Sequence, residues 1–427
     1  MMSKRIKLLT LGCRLNEAES EHWADNFHQR GFEIVGEDAP ADVLVLNTCA
    51  VTAQAVRKSR QLLRRQQRHN PHAQLVVTGC LATLEATALA QEYGVTVLIN
   101  NREKDQLVEI VLAQLALPLP ATTPTAAVAN PLFVRNRQRA FIKVQDGCRY
   151  QCTFCITTQA RGAERSRART EIVSTINRLQ QAGIQEVVLT GVHLGGYGSE
   201  CGDNLTALVA HLLAVTTIPR LRLGSLEPWD LPLDFWALFA NSRLLPHLHL
   251  PLQSGSDAVL RRMARRCKAR EFMQLVEIGR AQVPRLNLTT DIIVGFPGET
   301  THDWQQTLQL VELAQFGHVH SFSYSPRAGT VAASLPEQID AAMKRQRSDE
   351  LQTLARELKK QVLTAQIGQQ ATVLIEGTDA APERFGYTPN YLPVRMKNLG
   401  AVGEQRLINV QLTELTADSE ALLGITI

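Results

Sequence analysis

The chain reads as a multidomain α/β protein, and three observations lead there. Apolar runs alternate with helical patterns through most of its length, the signature of parallel βα units. Its 427 residues exceed what one hydrophobic core ordinarily serves, so two or three domains are expected. The alternation is interrupted at a proline-rich stretch after Leu117 and ends beyond Gln366, where short β runs between turn residues take over. The expected division is a Rossmann-like α/β domain over 1–117, a linker over 118–135, a core βα domain over 136–335, a helical connector over 336–366 and a small antiparallel β-barrel over 367–427.

In the first third, strand runs at Ile6–Leu11, Val43–Leu46, Leu75–Val77 and Val97–Ile99 are separated by helical patterns at Glu17–Arg30, Ala53–His69 and Leu84–Tyr93. Gly31 and Gly94 stand where helix C-caps are expected. Pro118, Pro120, Pro124 and Pro131 then rule out a helix and predict an extended connector. Six further strand candidates follow at Phe141–Val144, Glu186–Leu189, Leu221–Leu223, Leu248–Leu250, Leu288–Val294 and His318–Tyr324, again with helices between them. Six βα units are too few for the closed eight-unit barrel. The last β runs, Ala371–Ile375, Leu392–Met396 and Leu407–Leu412, suit a small barrel of oligonucleotide-binding shape.

Hydrophobic content of 44% and charged content of 20% are those of a soluble globular protein. No stretch approaches the roughly 20 apolar residues of a membrane span, and the basic N-terminus ends in Gly12-Cys13 with no cleavage-like segment, so a cytoplasmic location is expected. A net charge of +4 alone does not predict nucleic acid; local clusters must carry that argument.

Eight cysteines are too dilute for a disulfide scaffold, and six are patterned. Cys148, Cys152 and Cys155 place three thiolates within eight residues and leave a fourth ligand missing. Four cysteines would close a structural zinc or iron–sulfur site, whereas three leave a coordination position open to substrate. Zinc and a disulfide are the competing readings. Cys13, Cys49 and Cys80 each end a predicted parallel strand, so all three fall on the sheet edge where such folds bind ligands. They read as a second three-thiolate centre, or else as buried core cysteines. Gly12 and Gly79, each just before a cysteine, would let the backbone approach such a centre closely. Cys201 and Cys267 fit neither group.

The Cys148–Cys155 loop resembles that of the radical S-adenosylmethionine enzymes, whose cluster binds S-adenosylmethionine at its uncapped iron. With a preceding α/β domain carrying three separated cysteines, the chain resembles the methylthiotransferases of that class. Leu11-Gly12-Cys13-Arg14-Leu15-Asn16 and Asn47-Thr48-Cys49-Ala50-Val51-Thr52 resemble the branch acting on threonylcarbamoyladenosine in transfer RNA. The resemblance implies an open (β/α)6 barrel, two 4Fe–4S clusters (Cys13, Cys49, Cys80 and Cys148, Cys152, Cys155), S-adenosylmethionine, and an electron donor such as flavodoxin or ferredoxin. It also implies a 5′-deoxyadenosyl radical that takes hydrogen from C2 of the adenine 3′ of the anticodon, at tRNA position 37, and sulfur delivered already methylated by a second S-adenosylmethionine. Related targets are isopentenyladenosine or an aspartate of a ribosomal protein. A reading of another class is a non-catalytic iron–sulfur RNA-binding redox sensor.

The cofactor is expected at the C-terminal strand ends. There Gly191 opens a glycine-rich turn, Ser225 and Glu227 offer polar groups for a ribose or an amino group, and Gln253 ends the fourth strand. Ile293 and Gly295 lie in a segment resembling the family's adenine-contacting strand. For RNA, the basic helix with Arg57 and Arg64, the arginines Arg161 and Arg165 past the cysteine loop, and Arg265 in a run near the barrel mouth are candidates for phosphate contact; a solvated surface is the alternative. The last domain resembles the TRAM module. Its Tyr387 and Arg395 are candidates for base stacking and phosphate contact, with core packing the alternative for the tyrosine.

Overall fold

The computed structural model describes residues 4–117, 138–376, 383–397 and 406–427. The expected linker lies outside the described residues. The N-terminal sheet is built from β1 (Arg5–Thr10), β2 (Glu33–Ile34), β3 (Val43–Thr48), β4 (Gln74–Gly79) and β5 (Val97–Ile99) in the order β2-β1-β3-β4-β5, all parallel. β3 is buried along its whole length, and its unbroken apolar run follows from helices covering both faces. Those helices are α1 (Arg14–Gln29), α2 (Ala53–His69), α3 (Cys80–Leu84), α4 (Ala86–Tyr93) and α5 (Leu107–Gln114). Gly31, at φ +88°, ends α1 as expected: its N–H reaches the His28 carbonyl while that of Phe32 reaches Phe27. Because β1, β3 and β4 run the same way, Cys13, Cys49 and Cys80 all leave the same edge.

The central strands are β6 (Arg139–Lys143), a short hairpin of β7 (Gln145–Asp146) with β8 (Arg165–Ser166), then β9 (Glu186–Thr190), β10 (Arg220–Leu223), β11 (His247–His249), β12 (Asn287–Val294) and β13 (His318–Ser323). They form two parallel halves, β6-β9-β10 and β11-β12-β13, linked by bridges at Leu221↔Leu244 and Ser225↔His249. Between them run α6 (Thr157–Arg161), α7 (Arg169–Gln181), α8 (Leu205–Val215), α9 (Asp257–Arg262), α10 (Ala269–Gln282) and α11 (Thr301–Ala314). Ala140, Ile142, Val187, Leu189, Leu288 and Ile292 join the outer core against these helices. By the two-residue period of a strand, the alternate residues face inward: Arg139, Glu186, Arg220, His247 and Asn287 at the base, His249, Asp291 and His320 above them. The arc is open between β6 and β13. On the β6 side α1 packs against it, with Arg14 4.9 Å above the Phe141 ring. On the β13 side lies α12 (Ala341–Thr364), whose Arg347 pairs with Glu299 at 2.6 Å.

β14 (Gln370–Glu376), β15 (Glu383–Tyr387), β16 (Pro393–Lys397), β17 (Leu407–Leu415) and β18 (Leu422–Thr426) close a five-stranded barrel in the order β14-β15-β16-β18-β17. It departs from the expected all-antiparallel barrel in one pair, since β16 and β18 run parallel. Its Thr388–Tyr391 turn seals the base of the central arc. There Glu186 accepts a hydrogen bond from Arg222 Nε and forms ion pairs with Arg139 and Arg220, each at 2.8 Å. Burial works against this carboxylate, but the three guanidiniums bring it down to about 2. Arg139 and Arg222 lie over Tyr391, and Arg220 donates to the Thr372 and Thr388 carbonyls at 3.2 and 3.1 Å.

Candidate functional site: two thiol trios at a domain junction

The Cys148–Cys155 loop is held from several sides by backbone bonds: Cys148 N–H to Gly162 at 3.1 Å, Thr153 N–H to Met263 at 3.0 Å and Ala332 N–H to Thr153 at 2.8 Å. Gly147, at φ +75°, permits this, because a β-carbon there would strike the Ala163 carbonyl. The sulfurs already face donors. Tyr150 N–H points to Cys148 Sγ and Thr157 N–H to Cys155 Sγ, both at 3.4 Å, and Arg265 Nη1 stands 4.0 Å from Cys152 Sγ. Burial, with some help from the two neighbouring thiols, pushes Cys148 up to about 12.

The N-terminal trio converges equally. Burial and then the adjacent thiols of Cys80 and Cys13 push Cys49 up to about 11. A β-carbon on Gly12, at φ +107°, would stand 2.8 Å from Cys49 Sγ. Asn16 accepts from Cys13 Sγ at 3.8 Å and donates to the Leu11 and Thr48 carbonyls at 2.7 and 3.2 Å, tying two cysteine loops together. Asn101 Nδ2 reaches Cys80 Sγ at 3.8 Å. All eight cysteines are free thiols. Three soft sulfur donors per group, close enough for each trio's thiols to act on one another, suit an iron–sulfur cluster with one iron left open.

The two groups meet through α3 and α6, which begin at Cys80 and two residues after Cys155 and pack on each other. Asn101, beside Cys80, also donates to the Ala160 carbonyl at 2.8 Å. Next in α6, Arg161 is 1% exposed and donates to Glu19 at 3.0 Å, Asp146 at 2.8 Å and Asn16 at 2.7 Å. Lys104 completes the group at 2.6 Å from Glu19. Burial opposes both charges. Nevertheless Arg161 is held well above its ordinary range by Glu19 and Asp146, and Glu19 well below its own by Arg161, Lys104 and Lys143.

Several expected contacts are corrected by this geometry. Arg161 offers no surface to RNA, because it is the buried hinge pin of the junction. The Arg265 side chain is 3% exposed and pairs with Glu227 at 2.6 Å, so it too is removed from phosphate contact and belongs beside Cys152. Tyr387 is half-buried and stacks on Tyr391 at 4.5 Å under Arg139, the packing alternative for this side chain. Arg57 and Arg64 lie exposed on α2, the latter paired with Glu92 at 2.7 Å. Arg165 is 41% exposed near Asp146, and Arg395 is 42% exposed beside Asp418.

At the mouth, Ser225 is exposed, and Gln253 has φ +74° and bridges Ile292 by its backbone. Ile293 packs partly buried near Phe154 and Phe296. Gly295 donates to Glu299 at 2.9 Å. Around Gly191 the tight approach is to protein: a β-carbon would lie 2.9 Å from Gln145 Oε1, and one on Gly195 2.6 Å from the Asp230 β-carbon. That turn is organised around His193, whose ring nitrogens meet Glu164 at 2.5 Å and Asp230, with the Tyr150 ring edge-on at 4.6 Å. Asn16, Glu19, Asn101, Asp146 and His193 were not among the expected site residues. The one signal for them was a polar residue standing inside otherwise apolar cysteine motifs, as Asn16 and Asn47 do.

Residues 5–100 match the Uncharacterized protein family UPF0004, and residues 142–311 match the Radical SAM superfamily. The chain is 34% identical over 421 residues to a threonylcarbamoyladenosine tRNA methylthiotransferase MtaB of Chlamydia pneumoniae, covering 98% of this chain and 97% of that one. It is 31% identical to a tRNA-2-methylthio-N(6)-dimethylallyladenosine synthase of Bartonella bacilliformis, covering 98% and 95%. Among solved structures, the radical S-adenosylmethionine methyltransferase TsrM from Kitasatospora setae, with cobalamin and a 4Fe–4S cluster bound, aligns with a TM-score of 0.59 at 15% identity over 78% of this chain and 77% of that one.

Proposed function

This chain belongs to the MtaB-like radical S-adenosylmethionine methylthiotransferases and is a tRNA methylthiotransferase, and we propose that its substrate is the threonylcarbamoyladenosine 3′ of the anticodon, at tRNA position 37. The product is then the 2-methylthio nucleoside. The relatives that carry the threonylcarbamoyladenosine name are 32–35% identical over 91–98% of this chain, and those named for dimethylallyladenosine 31–33% over 88–99%. This margin, with the Leu11–Asn16 and Asn47–Thr52 motifs, favours the first target. Isopentenyladenosine and a ribosomal aspartate are the alternatives. The non-catalytic sensor is set aside by the family assignment.

The cofactors of the family are two 4Fe–4S clusters and S-adenosylmethionine. We assign the clusters to Cys13, Cys49 and Cys80 and to Cys148, Cys152 and Cys155. When bound, they supply a 5′-deoxyadenosyl radical at one centre and the methylated sulfur at the other. The observation that carries the assignment is the packing of α3 on α6, which leaves the trios on either side of one buried joint. The chain's residues then act as scaffold. Arg161, Glu19 and Asp146 fix the domain spacing, Arg265 sets a cation against one sulfur, and the Thr388–Tyr391 turn closes the chamber from below. Arg57, Arg64, Arg165 and Arg395 remain as candidates for RNA phosphate contact, and a flavodoxin or ferredoxin is the proposed electron source. No helix among the described residues is long and apolar enough to cross a membrane.

The test is mass spectrometry of tRNA nucleosides from a deletion strain complemented with this chain. Restoration of 2-methylthio-threonylcarbamoyladenosine supports the assignment; restoration of the isopentenyl product alone replaces it. Alanine at Cys148, Cys152 and Cys155 should abolish 5′-deoxyadenosine formation. Alanine at Cys13, Cys49 and Cys80 should keep that formation and stop thiolation.

A further inference from the structure

Inside the open arc, three adjacent strands carry a second set of metal-ligating side chains that the two thiol trios do not use. His249 stands on β11, Asp291 on β12 and His320 on β13, and one donor atom from each lies within 4.8 Å of the other two. Register puts them there. Thr289 is paired with both His249 and His318, and Asp291 with His320, so the inward faces of three strands form one patch. The patch is oriented. His249 Nδ1 bonds Thr289 Oγ1 at 2.9 Å, which turns Nε2 toward Asp291 Oδ1 at 3.3 Å. Thr289 is itself held by His247 Nε2 at 3.2 Å. A histidine whose far nitrogen is fixed by a hydrogen bond while its near nitrogen faces a carboxylate is the usual preparation of a metal ligand.

We propose that His249, Asp291 and His320 form a third metal centre, for one divalent cation of the zinc or cobalt class, with its remaining positions open to the chamber. Two imidazoles and one carboxylate are borderline donors that select such ions over calcium or magnesium. Bond lengths of about 2.0–2.2 Å put neighbouring ligands of a tetrahedral ion roughly 3.4 Å apart, a spacing the His249–Asp291 pair already has. His320 must close the rest, and it is exposed, with its ring edge-on to His318 at 4.4 Å, so it has room to turn. A cavity of about 380 Å³ between β12, β13 and the C-terminal barrel, lined by Thr289, His318 and His320 and by Tyr387 and Tyr391 of the barrel, adjoins the triad on the His320 side. The centre shares no ligand with either trio.

The experiment uses reconstituted holoenzyme carrying its iron–sulfur clusters. Crystals soaked in zinc chloride are measured above and below the zinc absorption edge, which separates zinc from iron. In solution, cobalt(II) is titrated and followed by its electron paramagnetic resonance, against which oxidised 4Fe–4S clusters are silent. One zinc peak at the triad, and one equivalent of cobalt bound by the parent but bound at least tenfold more weakly by both His320→Gln and Asp291→Asn at unchanged iron content, is the expected result. His320 is exposed, so its variant folds and keeps the measurement decisive. Zinc absent from the triad, or cobalt retained equally by both variants, overturns the proposal. Because neither readout involves methylthiolation, failure here leaves the substrate assignment untouched, and the reverse also holds.

Discussion

Replacing Gly12 with alanine tests the cluster assignment by a known displacement. The added β-carbon would stand 2.7 Å from Cys49 Cβ and 2.8 Å from Cys49 Sγ, whereas ordinary contact begins at 3.4 Å. Relieving the sulfur contact alone requires a retreat of about 0.6 Å, and metal sites tolerate ligand errors of only about 0.2 Å. The backbone adds its own penalty, since φ is +107° and a left-handed L-residue costs roughly 1–2 kcal/mol. The variant should therefore lose the N-terminal cluster and keep the other. Iron and sulfide analysis after anaerobic reconstitution should fall from about eight irons per chain to about four, as expected for one of two 4Fe–4S clusters. Formation of 5′-deoxyadenosine should persist while thiolation stops. Gly202→Ala is the control, because φ is +77° there but nothing lies within 4 Å of the new carbon. Full iron content in Gly12→Ala would falsify the placement of a cluster at Cys49.

Two further outcomes follow from buried charge. Arg161→Met leaves Glu19 and Asp146 buried with Lys104, Lys143 and the half-exposed Arg165, and removing one member of a buried pair costs about 3–5 kcal/mol; limited proteolysis should cut near the junction at a protease level the parent resists, and unchanged cleavage refutes the clamp. His193 is opposed by burial but held above its ordinary range by Asp230 and Glu164. A raised folded value means that its contribution is full below about pH 6.5 and is lost as pH rises through the folded value. His193→Gln should thus lower the thermal midpoint most near pH 6 and least near pH 9, and a constant difference across that range argues against the pairing.

The strands and thiols were legible because their signals are local. Apolar runs of the right length marked the six parallel central strands but not the short β7–β8 hairpin, and Cys13, Cys49 and Cys80 each followed one such run. What escaped depended on partners far along the chain. Arg161 looked like a surface cation beside a loop, yet its fate is decided by Glu19, 142 positions earlier. Arg265 was drawn inward in the same way by Glu227 and Cys152. Tyr387 has the composition of a base-stacking residue, and only the docking of one barrel on another commits it to Tyr391 and Arg139. Strand β2 has two residues, too few to show a period, and β15 and β18 were missed beside stronger neighbours.

The Thr388–Tyr391 turn makes the last sixty residues a cork as well as an appendage. Without them Arg139 and Arg222 would lose their aromatic partner and Arg220 its carbonyl partners, and water would reach Glu186 from the end opposite the cysteines. A fragment lacking the barrel would therefore present four charged side chains to water that the whole chain keeps buried.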